Sequence, residues 1–163
     1  MPLFYFSIFQ LLIFLFLSVA FICSFALKSI KPPKLHFTMS QKRVLIAEDS
    51  SVIQNLARKI LEFQNYEITA VKNGEQVMQI VDKEDFDIVL LDINMPIMDG
   101  MECVKAIRLL SDKKKSNLPV VAITGNAKNY SEEEFKAAGF NDVLVKPLNF
   151  DRLVEIVNEL TEE

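Results

Sequence analysis

The sequence predicts an α/β domain: one parallel sheet of five strands, wound with helices on both faces. Three observations predict it. Five short runs rich in Val, Ile and Leu alternate with amphipathic helical patterns. The runs are apolar at nearly every position, as strands covered on both faces are. Several runs also end abruptly on a polar residue, and Asp92 at the end of "DIVLLD" is the sharpest case.

The elements follow in order. "RVLIA" (43–47) is the first strand. Ile53, Leu56, Ala57, Ile60 and Leu61 then recur at helical spacing, after Asp49 or Ser50 as an N-cap. "YEITAV" (66–71) is the second strand, followed by a helix over about 75–84 with Val77, Ile80 and Val81 on one face. "DIVLLD" (87–92) is the third strand, and Val104, Ile107 and Leu110 mark a helix over about 100–110. "PVVAIT" (119–124) is the fourth. Ser131 and Glu134 form a capping box for a short acidic helix over about 131–138, and Gly139 suits its end. "DVLVK" (142–146) is the fifth strand, and Leu153, Ile156, Val157 and Leu160 place a last helix over about 150–161. Right-handed crossovers sort these helices onto both faces. The expected strand order is 2-1-3-4-5, flavodoxin-like, with its crevice at the carboxyl ends of strands 1 and 3.

The chain has 163 residues. Two regions are expected: residues 1–38, a hydrophobic segment and linker, and residues 39–163, the α/β domain. Residues 3–27 contain no charge and, as a helix, would span about 37 Å, enough for a ~30 Å hydrocarbon core. Lys28, Lys31 and Lys34 follow, which sets that end toward the cytoplasm. A second methionine, Met39, stands just before the first strand. Two readings stay open: a single-helix membrane anchor on a cytoplasmic domain, and an extension that is artefactual or not translated. A secretory leader fits less well, because no Lys or Arg precedes the long apolar run. "KSIKPPK" is a linker in either case, since Pro32-Pro33 stops a helix.

Composition removes several functions. After residue 38 there are 15 Lys+Arg against 22 Asp+Glu, a net of −7. That charge opposes a nucleic-acid groove. The single histidine, His36, lies outside the α/β region, which excludes histidine-based catalysis or metal binding there. Cys23 and Cys103 make no metal or disulfide pattern.

The strand ends carry the chemistry. Strand 1 runs into Glu48-Asp49, strand 3 into Asp92, strand 4 into Thr124 and strand 5 into Lys146-Pro147. The strand order gathers the three acids at the crevice, with Thr124 and Lys146 alongside. Singly, each has a plain explanation: a helix cap, a loop-entry acid, a strand end, a solvated lysine. Together, three carboxylates repel one another, and a divalent cation relieves that. Oxygen ligands and phosphate chemistry favour Mg²⁺. Asp92 can then act as a nucleophile and carry an aspartyl-phosphate, with Lys146 and Thr124 binding phosphoryl oxygens. Gly125 leaves room beside the site.

"LIAEDS", "LLDINMPIMDG", "VAITGNA" and "VLVKPL", in this order and spacing over about 42–161, resemble the receiver domain of two-component response regulators. The resemblance implies that Asp92 is the phosphoacceptor, charged by a histidine kinase or a histidine phosphotransfer protein. It implies Mg²⁺ held by Asp49, Asp92 and the Asn94 carbonyl, with Glu48 acting mostly through water. It also implies Thr124 as the switch hydroxyl, Lys146 as the phosphate-binding lysine and a cis Lys146-Pro147 bond. One departure is Val143, where the family commonly has Tyr or Phe. The aromatic swing coupled to Thr124 is then weakened, or passes to Phe140 or Tyr130.

Two other functions compete. A phosphatase of the haloacid-dehalogenase type would need an acid where Asn94 stands. A degenerate receiver would bind partners without taking phosphate. No output domain is expected after the last helix, so the signal would pass to a protein target through the face of the fourth helix, fifth strand and last helix.

Overall fold

The computed structural model describes residues 41–125 and 130–162. The hydrophobic segment, the linker and Met39 lie outside the described residues, as do Asn126 and Ala127 of the fourth motif. Among the described residues, no helix is long and apolar enough to cross a membrane.

Five parallel strands form one sheet: β1 (Arg43–Ala47), β2 (Glu67–Val71), β3 (Ile88–Asp92), β4 (Val120–Thr124) and β5 (Asp142–Val145). Their spatial order is β2-β1-β3-β4-β5, as the sequence predicts. The helices are α1 (Ser51–Phe63), α2 (Gly74–Val81), α3 (Gly100–Arg108), α4 (Lys113–Ser116), α5 (Glu132–Ala138) and α6 (Phe150–Thr161). The single turn α4 has no apolar periodicity. Asp112 creates it by accepting from the Lys114 and Lys115 N–H groups.

Alternation along the strands splits the core into two layers. Val44, Ile46, Ile88 and Leu90 face α1 and α6, where Ala57, Leu61, Leu153 and Ile156 meet them. Leu45, Ala47, Val89 and Leu91 face the other way, toward Val77, Cys103, Ile107 and Phe135 of α2, α3 and α5. Each fully buried Leu, Ile or Val contributes about 1.5–3 kcal/mol. A core of this size can carry an unfavourable cluster of acids at one edge.

Caps fix where helices start. Asn73 accepts from Gln76 N–H, and Asp99 with Glu102 forms a capping box. The expected box of Ser131 and Glu134 is present, and Gly139 ends α5 at φ +109°, in the left-handed region. Ser50 occupies the N-cap position of α1 but makes no side-chain capping bond. Asp49 does not serve as that cap.

Cys103 lies in the α2–α3 layer, and its thiol donates to Gly74 O over 3.6 Å. Burial pushes this thiol up to about 12, with the Asp99 charge adding to the shift. In a Cys23→Ser chain, Cys103 is therefore expected to resist a disulfide reagent at pH 8 and to react promptly in denaturant. Rapid reaction of the native protein would show that this layer opens readily.

Candidate functional site

The two strands that flank the crossover point end side by side, and the acids sit on those ends. β3 stays buried to its last residue, with Asp92 2% exposed. The chain then folds back sharply. Met98 N–H donates to Pro96 O (2.9 Å) across Ile97, which has φ +72°. This is a strained three-residue turn for a β-branched residue. Gly100 N–H donates to Ile93 O (3.0 Å), and Gly74 N–H donates to Met98 O (3.1 Å). The loop after Asp92 is thus closed on itself and tied to the start of α2.

β1 delivers Glu48, 1% exposed, and Asp49, which is open to solvent. Glu48, Asp49 and Asp92 each offer an oxygen within 4.8 Å of the others. From the end of β5, Lys146 Nζ donates to Asp92 Oδ2 (2.8 Å) and lies 2.8 Å from Glu48 Oε2. The second contact is an ion pair with the buried Glu48 carboxylate. Glu48 Oε1 accepts from Ser50 N–H (3.2 Å), and Asp92 Oδ1 accepts from Asn94 N–H (3.3 Å).

Charge explains the tension. Burial pushes the Glu48 carboxyl upward and the Asp92 charge adds to this, while Lys146 opposes both. For Lys146, burial acts to lower the ammonium. Its bonds to Asp92 and Glu48 outweigh that and raise it. Three carboxylates against one ammonium leave a surplus of negative charge. A hard divalent cation matches the surplus and the all-oxygen donor set.

Thr124, buried at the end of β4, pairs in register with Val145, and its carbonyl accepts from Lys146 N–H (2.7 Å). Thr124 and Lys146 therefore stand on adjacent strand ends. Asn94 is exposed two residues beyond Asp92. The Lys146-Pro147 bond is cis. Gly125 has open space where a side chain would stand. Val143 is half-buried against the core layer of Phe135 and Phe140, and the Phe135 ring lies 5.5 Å from Tyr130 and 5.7 Å from Phe140. The aromatic groups near this strand thus come from α5 and its ends.

Sequence reasoning missed three contributors. Gly100 lets α3 start against the Asp92 backbone: a Cβ there would meet Asp92 O at 2.4 Å. Lys72 Nζ donates to Asp49 O (3.0 Å). Gln54 is buried under β1, whereas Leu56, expected on the inner face, is 44% exposed. The buried row of α1 is Gln54, Ala57 and Leu61. Its i, i+3, i+7 spacing was visible in the sequence but carries a polar residue.

Comparison with known proteins decides the family. The model of the response regulator receiver domain matches residues 44–158. The chain belongs to the response regulator receiver domain family. A receiver domain of this kind serves two-component phosphorelay signalling. The chain is 32% identical over 125 residues to hybrid signal transduction histidine kinase I of Dictyostelium discoideum, covering 74% of this chain and 7% of that protein. It is 34% identical over 120 residues to the sensor protein GacS of Pseudomonas syringae pv. syringae, covering 73% of this chain and 13% of that protein. The chain thus spans only about a tenth of these relatives. Among solved structures, the receiver domain of a Pseudomonas aeruginosa sensor histidine kinase superposes with a TM-score of 0.69. It is 27% identical and covers 76% of this chain and 100% of that one. That receiver domain has a magnesium ion coordinated in its active-site cleft.

Proposed function

We propose that this receiver domain accepts a phosphoryl group on Asp92 from a histidine kinase or histidine phosphotransfer protein and signals through protein–protein contacts. One observation carries the reading: Asp92 is buried at the crossover point, within reach of two further carboxylates and 2.8 Å from an ammonium. Asp49, Asp92 and the Asn94 carbonyl would hold Mg²⁺, with Glu48 acting mostly through water. The ion would supply charge neutralisation for the phosphoryl oxygens.

This chain's own groups do the rest. An Asp92 oxygen attacks phosphorus, the P–N bond of the phosphohistidine breaks, and the imidazole leaves. Lys146 already touches Asp92, so its ammonium meets a phosphoryl oxygen there with little movement. The Thr124 hydroxyl, one strand over, donates to another. The domain is a phosphoacceptor that assists its own transfer and later hydrolysis.

The output target is a protein met by the α5–β5–α6 face, and no nucleic acid is involved. Residues 39–163 form the working domain, on the cytoplasmic side where phosphodonors are found. If residues 3–27 form an anchor they would tether it, which carbonate-resistant pelleting with membranes tests; a native protein that begins at Met39 would remove the tether.

Incubation with acetyl phosphate and Mg²⁺ is expected to add one acid-stable, base-labile phosphate per chain. EDTA should prevent it. An inert protein under these conditions would favour a binding module that takes no phosphate, and full labelling in EDTA would contradict the metal's part.

A further inference from the structure

We propose that Gln54 is a positioning residue for the acid pair, holding the backbone of Glu48-Asp49 so that both carboxylates present to a divalent cation. The idea rests on the metal reading of the site, and it assigns a role to a side chain that touches neither metal nor phosphate.

The problem starts where the ladder ends. β1 pairs with both neighbours as far as Ala47, opposite Val71 and Leu91. Glu48 N–H makes one more bond across to Val71 O (3.2 Å). The Glu48 carbonyl lies past the end of this ladder, in buried surroundings. A buried carbonyl needs a donor, or the local backbone turns to find one.

Gln54 supplies it from one turn into α1. Its side chain is buried, and Nε2 uses both hydrogens: one to Glu48 O (3.1 Å), the other to Val71 O (2.7 Å). The end of β1 is thereby fastened to the end of β2. The next carbonyl is held as well. Lys72, the residue after β2, donates from Nζ to Asp49 O (3.0 Å) and to Ser51 Oγ (2.6 Å). Two consecutive carbonyls of the acid pair thus accept from side chains outside β1, one buried in α1 and one exposed just after β2. With both carbonyls fixed, the peptide planes are set, and so are the Cα–Cβ directions of Glu48 and Asp49.

A buried glutamine among Ala57 and Leu61 also has a plain structural use, since it satisfies two carbonyls. The difference lies in what else its loss would change. A merely structural glutamine affects folding. A positioning glutamine also affects ion affinity in protein that remains folded.

Gln54→Met keeps length and bulk and removes the donors. Its Mg²⁺ dissociation constant, read by amide NMR on the folded protein, is expected to rise roughly tenfold, the low end for groups that orient metal ligands. Gln54→Asn, which keeps a neutral amide donor on a shorter side chain, should lose less affinity than Gln54→Met. Tyr66→Phe is the stability control: it removes hydroxyl bonds to Asn158 (2.6 Å) and Thr161 (3.2 Å), far from the acids. It should lower the melting temperature and leave Mg²⁺ affinity unchanged. Asp49→Asn tests the site itself and should weaken binding. If Asp49→Asn weakens Mg²⁺ and Gln54→Met does not, the positioning role is wrong while the site stands. Equal weakening in Tyr66→Phe would make the effect one of stability and overturn the role too. If Asp49→Asn leaves affinity unchanged, or the wild-type protein binds no Mg²⁺, the metal site falls and the inference with it.

Discussion

Gly100→Ala is expected to destabilise the protein by about 1–2 kcal/mol and to disturb Asp92. Two effects compete. Gly100 does not have a left-handed φ, so alanine would gain about 0.4–1 kcal/mol by restricting the unfolded chain. Sterics oppose this. The new Cβ would lie 2.4 Å from Asp92 O, 2.9 Å from Ile93 Cα and 3.0 Å from Asp92 C. All three are backbone atoms, which cannot rotate away as a side chain can. Either α3 slides outward and loses contacts of Cys103, Val104 and Ile107, or the end of β3 moves. Overpacking of this kind costs about 1–3 kcal/mol and occasionally more, so it wins. Urea unfolding should show the lower midpoint, and the Asp92 and Asn94 amide signals should shift. A variant as stable as wild type would mean that α3 has slack at its N-terminus.

Lys146→Ala is expected to abolish most phosphoryl transfer, and to make the stability of the fold depend more strongly on Mg²⁺. The ammonium balances two nearly fully buried carboxylates. Removing one partner of a buried pair strands the other charge, at about 3–5 kcal/mol. Lys146 remains 21% exposed, so about 2 kcal/mol is the fitting figure here. The raised Lys146 holds its contribution below its ordinary value, so it is fully present at neutral pH and is lost only as pH rises through its folded value. For Glu48 the shift is also upward, with burial as the leading cause. Its contribution is therefore present at low pH and lost as pH rises. The deficit of Lys146→Ala should shrink as pH falls toward the carboxylate range, where Glu48 takes a proton. Saturating Mg²⁺ at about 100 times its dissociation constant adds about 2.7 kcal/mol and should offset most of the rest. Thermal melts at one fixed Mg²⁺ concentration would show a larger Mg²⁺ shift in the variant than in wild type, because carboxylates without the competing ammonium bind the ion more tightly. Equal shifts would mean that Lys146 and the ion do not share the same carboxylates.

The fold was legible in the sequence because both of its signals are strong. Runs such as Ile88–Asp92 and Val120–Thr124 are buried throughout and apolar up to their last residue, which is what a sheet covered on both faces asks for. The gathering of Glu48, Asp49, Asp92, Thr124 and Lys146 followed from strand order alone, since strand ends in a parallel sheet share one edge. Finer parts were hidden for physical reasons. α4 depends on one capping aspartate. The inner row of α1 includes Gln54, because hydrogen bonding to two strand-end carbonyls outweighs its polarity, and a hydrophobic pattern cannot register that. Gly100 reads as an ordinary turn glycine until the Asp92 carbonyl is seen against it. The contact of Lys146 with both Glu48 and Asp92 depends on side-chain reach and not on spacing.

The central claim is that the chain carries its phosphate on Asp92, and chemical trapping tests it most directly. Protein treated with acetyl phosphate and Mg²⁺ is reduced with borohydride, which converts an aspartyl-phosphate to homoserine, and the modified residue is located by mass spectrometry. Homoserine is expected at position 92 alone, and no modification is expected in Asp92→Ala. Homoserine at position 49, or a phosphate that persists in Asp92→Ala, would contradict the account.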